Sequence, residues 1–146
     1  MVLFSVSAMS EESSSDDSPS SEGMTQDANY LKGRQASKDG RFEAAIKHLL
    51  KAAETDPDNS DVYNLLGYNY RSFEMNDQAF RYYRKALELN PRHRGAHEYI
   101  GELYLKLGKL SKAKKHLEHL DSICFFGCEE YDELKEAILE YEAKNS

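Results

Sequence analysis

The residues best suited to chemistry lie near the C-terminal end. His116 and His119, followed by Cys124 and Cys128, form a His-x2-His-x4-Cys-x3-Cys array. Two imidazoles and two thiols are a ligand set for tetrahedral zinc. The spacing matches no metal motif, however, and both histidines fall at positions that often face solvent. A disulfide between Cys124 and Cys128 is a second reading, with Gly127 permitting a tight bend. It suits an oxidising compartment. A third leaves two partly buried free thiols. All three remain open at the level of spacing.

Nothing else assembles into a reactive constellation. The chain has no glycine-rich phosphate loop, no serine elbow and no His-Glu-x-x-His. His97-Glu98 continues as Tyr99-Ile100-Gly101, so the second histidine is missing. The acidic run at 56–61 resembles a calcium loop only faintly. Counted from Asp56, Asp61 stands where glycine is required and Gly67 where a bidentate glutamate is required. The sequence therefore offers no catalytic residue, no cofactor site and no assigned metal site, and the expectation is a protein that is not an enzyme.

Charge narrows the partners. Residues 1–25 hold five acidic side chains and no Lys or Arg; residues 26–121 hold 17 basic against 14 acidic, a net of +3; the remainder has a net of −5. A mildly basic body between acidic ends is a poor binder of nucleic acid or polyphosphate. No segment has the length and apolarity to span a membrane. Residues 1–25 are Ser-rich and acidic after an apolar start, and their composition predicts a disordered tail. The opening MVLFSVSA is similar to the end of a secretory signal, but lacks a charged start and a long enough apolar run. As written it is no functional signal and the chain is cytoplasmic. If the true start lies upstream, residues 1–25 hold a signal remnant and the protein is extracytoplasmic, periplasmic in a bacterium.

What positions these residues is a 34-residue echo. Gly67 maps forward onto Gly101 and back onto Gly33; Tyr70 maps onto Tyr104 and Ala36; Ala79 maps onto Ala113 and Ala45; Pro91 maps back onto Pro57. A period of this length implies stacked two-helix units sharing one core. Helix pairs are expected near 27–39 and 42–55, 60–73 and 77–89, and 94–107 and 110–121. Pro57 and Pro91 separate the units, and Asp58, Asn59 and Ser60 offer caps to the second. Leu66, Tyr70, Ala79, Tyr83 and Ala86 should centre the core. Gly40 and Gly108 occupy the turn inside the first and third pairs, where a positive φ suits glycine. The second pair has Glu74 there, which predicts a strained turn. A seventh helix at 129–143 carries Tyr131, Leu134, Ile138 and Tyr141 on one face, as a cap for the open end of a stack would.

These positions resemble the tetratricopeptide repeat. That family places bulky residues at positions 4 and 7, small ones at 8 and 20, aromatics at 11 and 24, Ala at 27 and Pro at 32. The second unit matches throughout, with Tyr63, Leu66, Gly67, Tyr70, Ala79, Tyr83, Ala86 and Pro91. The first departs at Asn29 and Lys32, and the third at His97, Leu120 and Phe125. The chain is also similar to short bacterial three-repeat proteins with a secretion signal and a cysteine pair before the terminal helix. The resemblance implies an all-α solenoid: three units over about 26–59, 60–93 and 94–125, then a capping helix in 126–146. It implies a protein-interaction adaptor or scaffold that holds a peptide or helical segment of another protein in a concave groove. By position, that groove is expected to present Tyr30, Arg34 and Lys38; Asn64, Tyr68 and Arg71; and Glu98, Glu102 and Lys106, with the basic end suited to an acidic segment. Co-chaperones of the family that grip a terminal carboxylate use a Lys and Asn set. Here those places hold Tyr30, Arg34, Leu65, Gly95 and Tyr99, so that activity is not expected. The alternatives are self-association through the face of the first unit, and metal binding through the His-Cys array.

Overall fold

A computed structural model describes residues 26–146, and the N-terminal stretch with its expected disorder lies outside the described residues. Seven helices follow one another: α1 Ala28–Lys38, α2 Phe42–Thr55, α3 Ser60–Ser72, α4 Asn76–Leu89, α5 Arg94–Lys106, α6 Leu110–Ile123 and α7 Glu129–Lys144. Among the described residues no strand forms, and no helix is long and apolar enough to cross a membrane. The helices pair as α1/α2, α3/α4 and α5/α6, and each pair packs on the next, an all-α solenoid of three helix-turn-helix units.

The period is written into the packing. A Cβ placed on Gly33 would lie 2.6 Å from Leu49 Cγ, and one on Gly67 would lie 2.5 Å from Tyr83 Cε1. In these two pairs the second helix presses a large side chain, sixteen residues on, against a position that has none. Leu66, Ala79, Tyr83 and Ala86 are fully buried, while Tyr70 is half-buried, with its ring stacked on Tyr82 at 5.2 Å between centroids. Positions 4 and 23 also meet in each unit. Asn29 Oδ1 lies 3.4 Å from His48 Nδ1, Tyr63 stacks on Tyr82 at 6.4 Å, and His97 Nδ1 lies 3.0 Å from His116 Nδ1.

The turns inside the three pairs share one geometry. Arg41 N donates to Ala36 O, Met75 N to Tyr70 O and Lys109 N to Tyr104 O, at 2.9, 3.1 and 2.8 Å. Each closure requires a left-handed residue, and φ is +71° at Gly40, +58° at Glu74 and +72° at Gly108. The repeat thus imposes on Glu74 a backbone that costs an L-residue about 1–2 kcal/mol. Between units the caps are polar: Asn59 Oδ1 accepts from Asp61 N at 3.1 Å, and His93 Nδ1 accepts from Ala96 N at 3.1 Å. With Nδ1 accepting, His93 Nε2 carries the proton and donates to Asp61 of the preceding unit at 2.9 Å. This bond holds the Asp61 carboxyl below the ordinary range.

The third unit closes differently. The residue sixteen beyond Gly101 is Leu117, which is only half-buried. It is Leu134 of α7 whose Cδ2 lies 2.6 Å from a Cβ at Gly101, and Leu134 is fully buried. With Ile138, it joins Leu105, Ala113 and Leu120 in one apolar cluster. The terminal helix therefore packs on both α5 and α6.

Candidate functional site

The first helices α1, α3 and α5 carry the expected groove positions, but those side chains differ in exposure and in the charge partners they already have. Position 5 of each unit is buried: Tyr30 is 7% exposed, Asn64 8% and Glu98 4%. They form the floor. Position 12 of one unit faces position 9 of the next, so Arg71 meets Glu102, with Nη1 to Oε2 at 2.6 Å. The guanidinium also lies over the Tyr68 and Tyr99 rings, 5.8 and 5.2 Å from their centroids. Arg71, expected as a free solvent-facing cation, is instead consumed by an internal pair. Lys106 is likewise paired, with its Nζ 2.9 Å from Glu74 Oε1.

The remaining groove cations are Arg34 and Lys38. Both are exposed, and among the described residues neither has a carboxylate within ion-pair distance. With Ser37, Leu65, Tyr68 and Tyr99 they line a concavity of about 300 Å³. Burial pushes the Tyr99 hydroxyl up to about 12, so it stays a neutral donor. Leu65 and Tyr99 occupy position 6, beside the expected position 5, and were not among the expected liners. The base of the site is held by Asn69, fully buried, whose Nδ2 donates to Ser37 Oγ and to Leu65 O, both at 2.7 Å. Ser37 Oγ in turn donates to Gly33 O at 3.0 Å. An asparagine between Tyr68 and Tyr70 in an otherwise core-forming helix was the signal that could have revealed this link.

The His-Cys array is not assembled. His116 turns to His97, whose Nε2 is taken by Pro91 O at 2.9 Å, and His119 stacks on His97 at 5.0 Å. Burial, then the charge of neighbouring His97, pushes His116 down to about 4. It is a packed neutral imidazole, not a solvent-facing one. Cys124 and Cys128 lie with their sulfurs 2.04 Å apart. Among the described residues no group of three His, Cys, Asp or Glu side chains is arranged to hold a metal ion.

Comparison with known proteins agrees with this architecture. A tetratricopeptide repeat model matches residues 71–138 and a second TPR repeat model matches residues 33–72. The anaphase-promoting complex subunit CDC16 of Saccharomyces cerevisiae is 37% identical over 87 residues, 55% of this chain and 10% of that protein. The photosystem I assembly protein Ycf3 of Synechococcus is 30% identical over 86 residues, 57% of this chain and 50% of that protein. The chain thus spans from a tenth to a half of these two relatives' length. Among solved structures, the first TPR of Spaghetti (RPAP3) bound to the HSP90 peptide SRMEEVD superposes with a TM-score of 0.69 at 24% identity, covering 81% of this chain and 94% of that one. The TPR2B domain of yeast Sti1, in its pHsp70 complex, gives 0.72 at 13% identity, covering 80% and 94%. The helix pairs recur every 34 residues with the same turn closure, and two repeat models together span residues 33–138; the chain belongs to the tetratricopeptide-repeat family.

Proposed function

We propose that the protein is an interaction adaptor. It holds an extended or helical segment of another protein along α1, α3 and α5, with acidic side chains of that segment at Arg34 and Lys38. One observation carries the reading. Where α3 and α5 have used their groove charges on each other, Arg34 and Lys38 of α1 have no carboxylate partner among the described residues and sit around a concavity lined by Leu65, Tyr68 and Tyr99. Tyrosine and arginine give area and directional hydrogen bonds at modest entropic cost, which is why they concentrate at binding hot spots. Two relatives whose names place them in assemblies, and a structural neighbour bound to an acidic peptide, support a binding role over a catalytic one.

The test is charge reversal. Arg34→Glu with Lys38→Glu should leave helicity and melting temperature nearly unchanged, because both side chains are exposed and unpaired. It should abolish capture of the partner from a native lysate, since reversed charges repel the ligand as well as losing its contacts. Arg81→Glu with Lys85→Glu, also exposed but on α4, is the matched control. Binding lost in the control and kept in the α1 variant would place the partner on the outer face and refute the groove.

A further inference from the structure

The other end of the groove has the opposite chemistry. Glu98 on α5 is 4% exposed and faces the Glu133 carboxyl of α7. Glu102 of α5 and Glu130 of α7 add negative charge around it. Cations answer the outer two, Arg71 pairing with Glu102 and Arg94 with Glu130 at 3.7 Å, while Glu98 and Glu133 have no cation partner among the described residues. Tyr99 adjoins Glu98 and is neutral. Burial, then the hydrogen bond to Glu133, pushes the Glu98 carboxyl up to about 9, so at neutral pH a proton stands in for a missing cation. A second observation is independent of charge. Asn64 of α3, 8% exposed, lies against Gly95, one helical turn before Glu98 and on the same face. A Cβ on Gly95 would come within 3.1 Å of Asn64 Nδ2, so glycine leaves the carboxamide its place. Asn64 Oδ1 is buried and has no hydrogen-bond partner among the protein groups. Buried acceptors are nearly always satisfied. Acceptors from three helices thus gather at this end without donors to match.

We infer that this end, between Asn64 on α3, Glu98 on α5 and Glu133 on α7, is a cation subsite that takes an arginine side chain of the bound segment. The inference rests on the groove being a peptide site. A guanidinium presents five N–H donors in a plane and can serve two carboxylates and a carboxamide oxygen together; a metal ion lacks a convergent ligand group among the described residues. Entry of the guanidinium releases the Glu98 proton to solvent, so Glu98-H plus Arg⁺ becomes the Glu98⁻·Arg⁺ pair plus H⁺. The groove is then bipolar. A segment lies with its acidic side chains toward α1 and its arginine toward α7, which fixes its direction.

The experiment uses the full chain with carboxyl-labelled glutamate, titrated by NMR with methylguanidinium chloride as the probe. Without probe, Glu98 should titrate near pH 9; at saturating methylguanidinium its midpoint should fall below neutral, by more than about two units, within the range for a carboxyl gaining an opposite charge. Glu98→Gln, which keeps the neutral shape, should fold and lose the probe-induced shift at Asn64. Sodium chloride at equal ionic strength is the screening control, and an equal shift from it overturns the subsite. In parallel, N-acetylglutamate is titrated against the Tyr68 and Tyr99 ring signals to report on the α1 end. If it binds there while methylguanidinium leaves Glu98 unmoved, the subsite is refuted and the adaptor reading stands. If neither probe acts, both fail.

Discussion

Gly101 and Leu134 give the sharpest test of how the solenoid ends. Leu134→Ala removes a fully buried side chain from a cluster with Leu105, Ala113, Leu120 and Ile138. Such truncations cost about 2–5 kcal/mol. With roughly 2.1 cal/mol/K of unfolding entropy per residue, about 120 ordered residues give close to 4 °C per kcal/mol, so the melting temperature should drop by about 8–20 °C. Gly101→Ala places a methyl 2.6 and 2.7 Å from the two Leu134 methyl carbons. Overpacking of this kind costs about 1–3 kcal/mol, partly offset by about 1 kcal/mol of helix propensity gained over glycine. In the double variant the new methyl enters the space that Leu134 vacated. Its cost should fall short of the sum of the singles by at least about 1 kcal/mol, a coupling expected only between residues in contact. Urea denaturation of all four proteins measures it. Leu117→Ala is the control partner, because the 34-residue period alone would pair Gly101 with Leu117. Stronger coupling to Leu117 than to Leu134 would show that the third unit closes on α6 as the others close on α2 and α4, and would refute the role given to α7.

Two further outcomes follow from local geometry. Glu74→Gly should be neutral or stabilising by up to about 1 kcal/mol, because φ is +58° there and glycine adopts it freely; a clear fall in the urea midpoint would mean that the exposed pair with Lys106 outweighs the strain. Protein made in an oxidising compartment should show no free thiol when denatured and should weigh two mass units less than its sequence, from a Cys124–Cys128 bond; two cysteines alkylated without reduction would overturn it.

The fold was legible because a repeat states each requirement several times. One glycine in a helix is ambiguous, but Gly33, Gly67 and Gly101 at one spacing specify a close approach, and Gly40 and Gly108 let the φ of Glu74 be expected before it was seen. Helix ends agreed to within two residues for the same reason. The groove was less legible because its chemistry depends on pairs between units. Position counting placed Arg71 and Glu102 correctly on the concave helices, yet gave no warning that they neutralise each other at 2.6 Å. It marked Tyr30, Asn64 and Glu98 as groove positions, and gave no sign of how far neighbouring helices bury all three. Period also failed where the period stops: Leu134 lies 33 residues beyond Gly101, outside the three units, and only the stack reveals which side chain fills the last notch.

That internal pairing decides what the groove can select. An exposed cation retains its charge for a ligand only if no neighbour of the stack has claimed it. In α3 and α5 the claim has been made, since Arg71 with Glu102 and Lys106 with Glu74 bind one unit to the next. These pairs stiffen the middle of the concave face and make it electrically quiet, with the Tyr68 and Tyr99 rings as its remaining contact surface. The first unit has no predecessor among the described helices, and among the described residues Arg34 and Lys38 have no carboxylate partner. At the other end α7 brings Glu133 against Glu98, and the cation beside them, Arg94, is paired with Glu130. Unpaired charge is therefore pushed to the two ends of the stack, positive at α1 and negative at α7. A ligand that matched only one end would gain only one set of contacts, so the arrangement favours a segment long enough to reach both and charged in the opposite order.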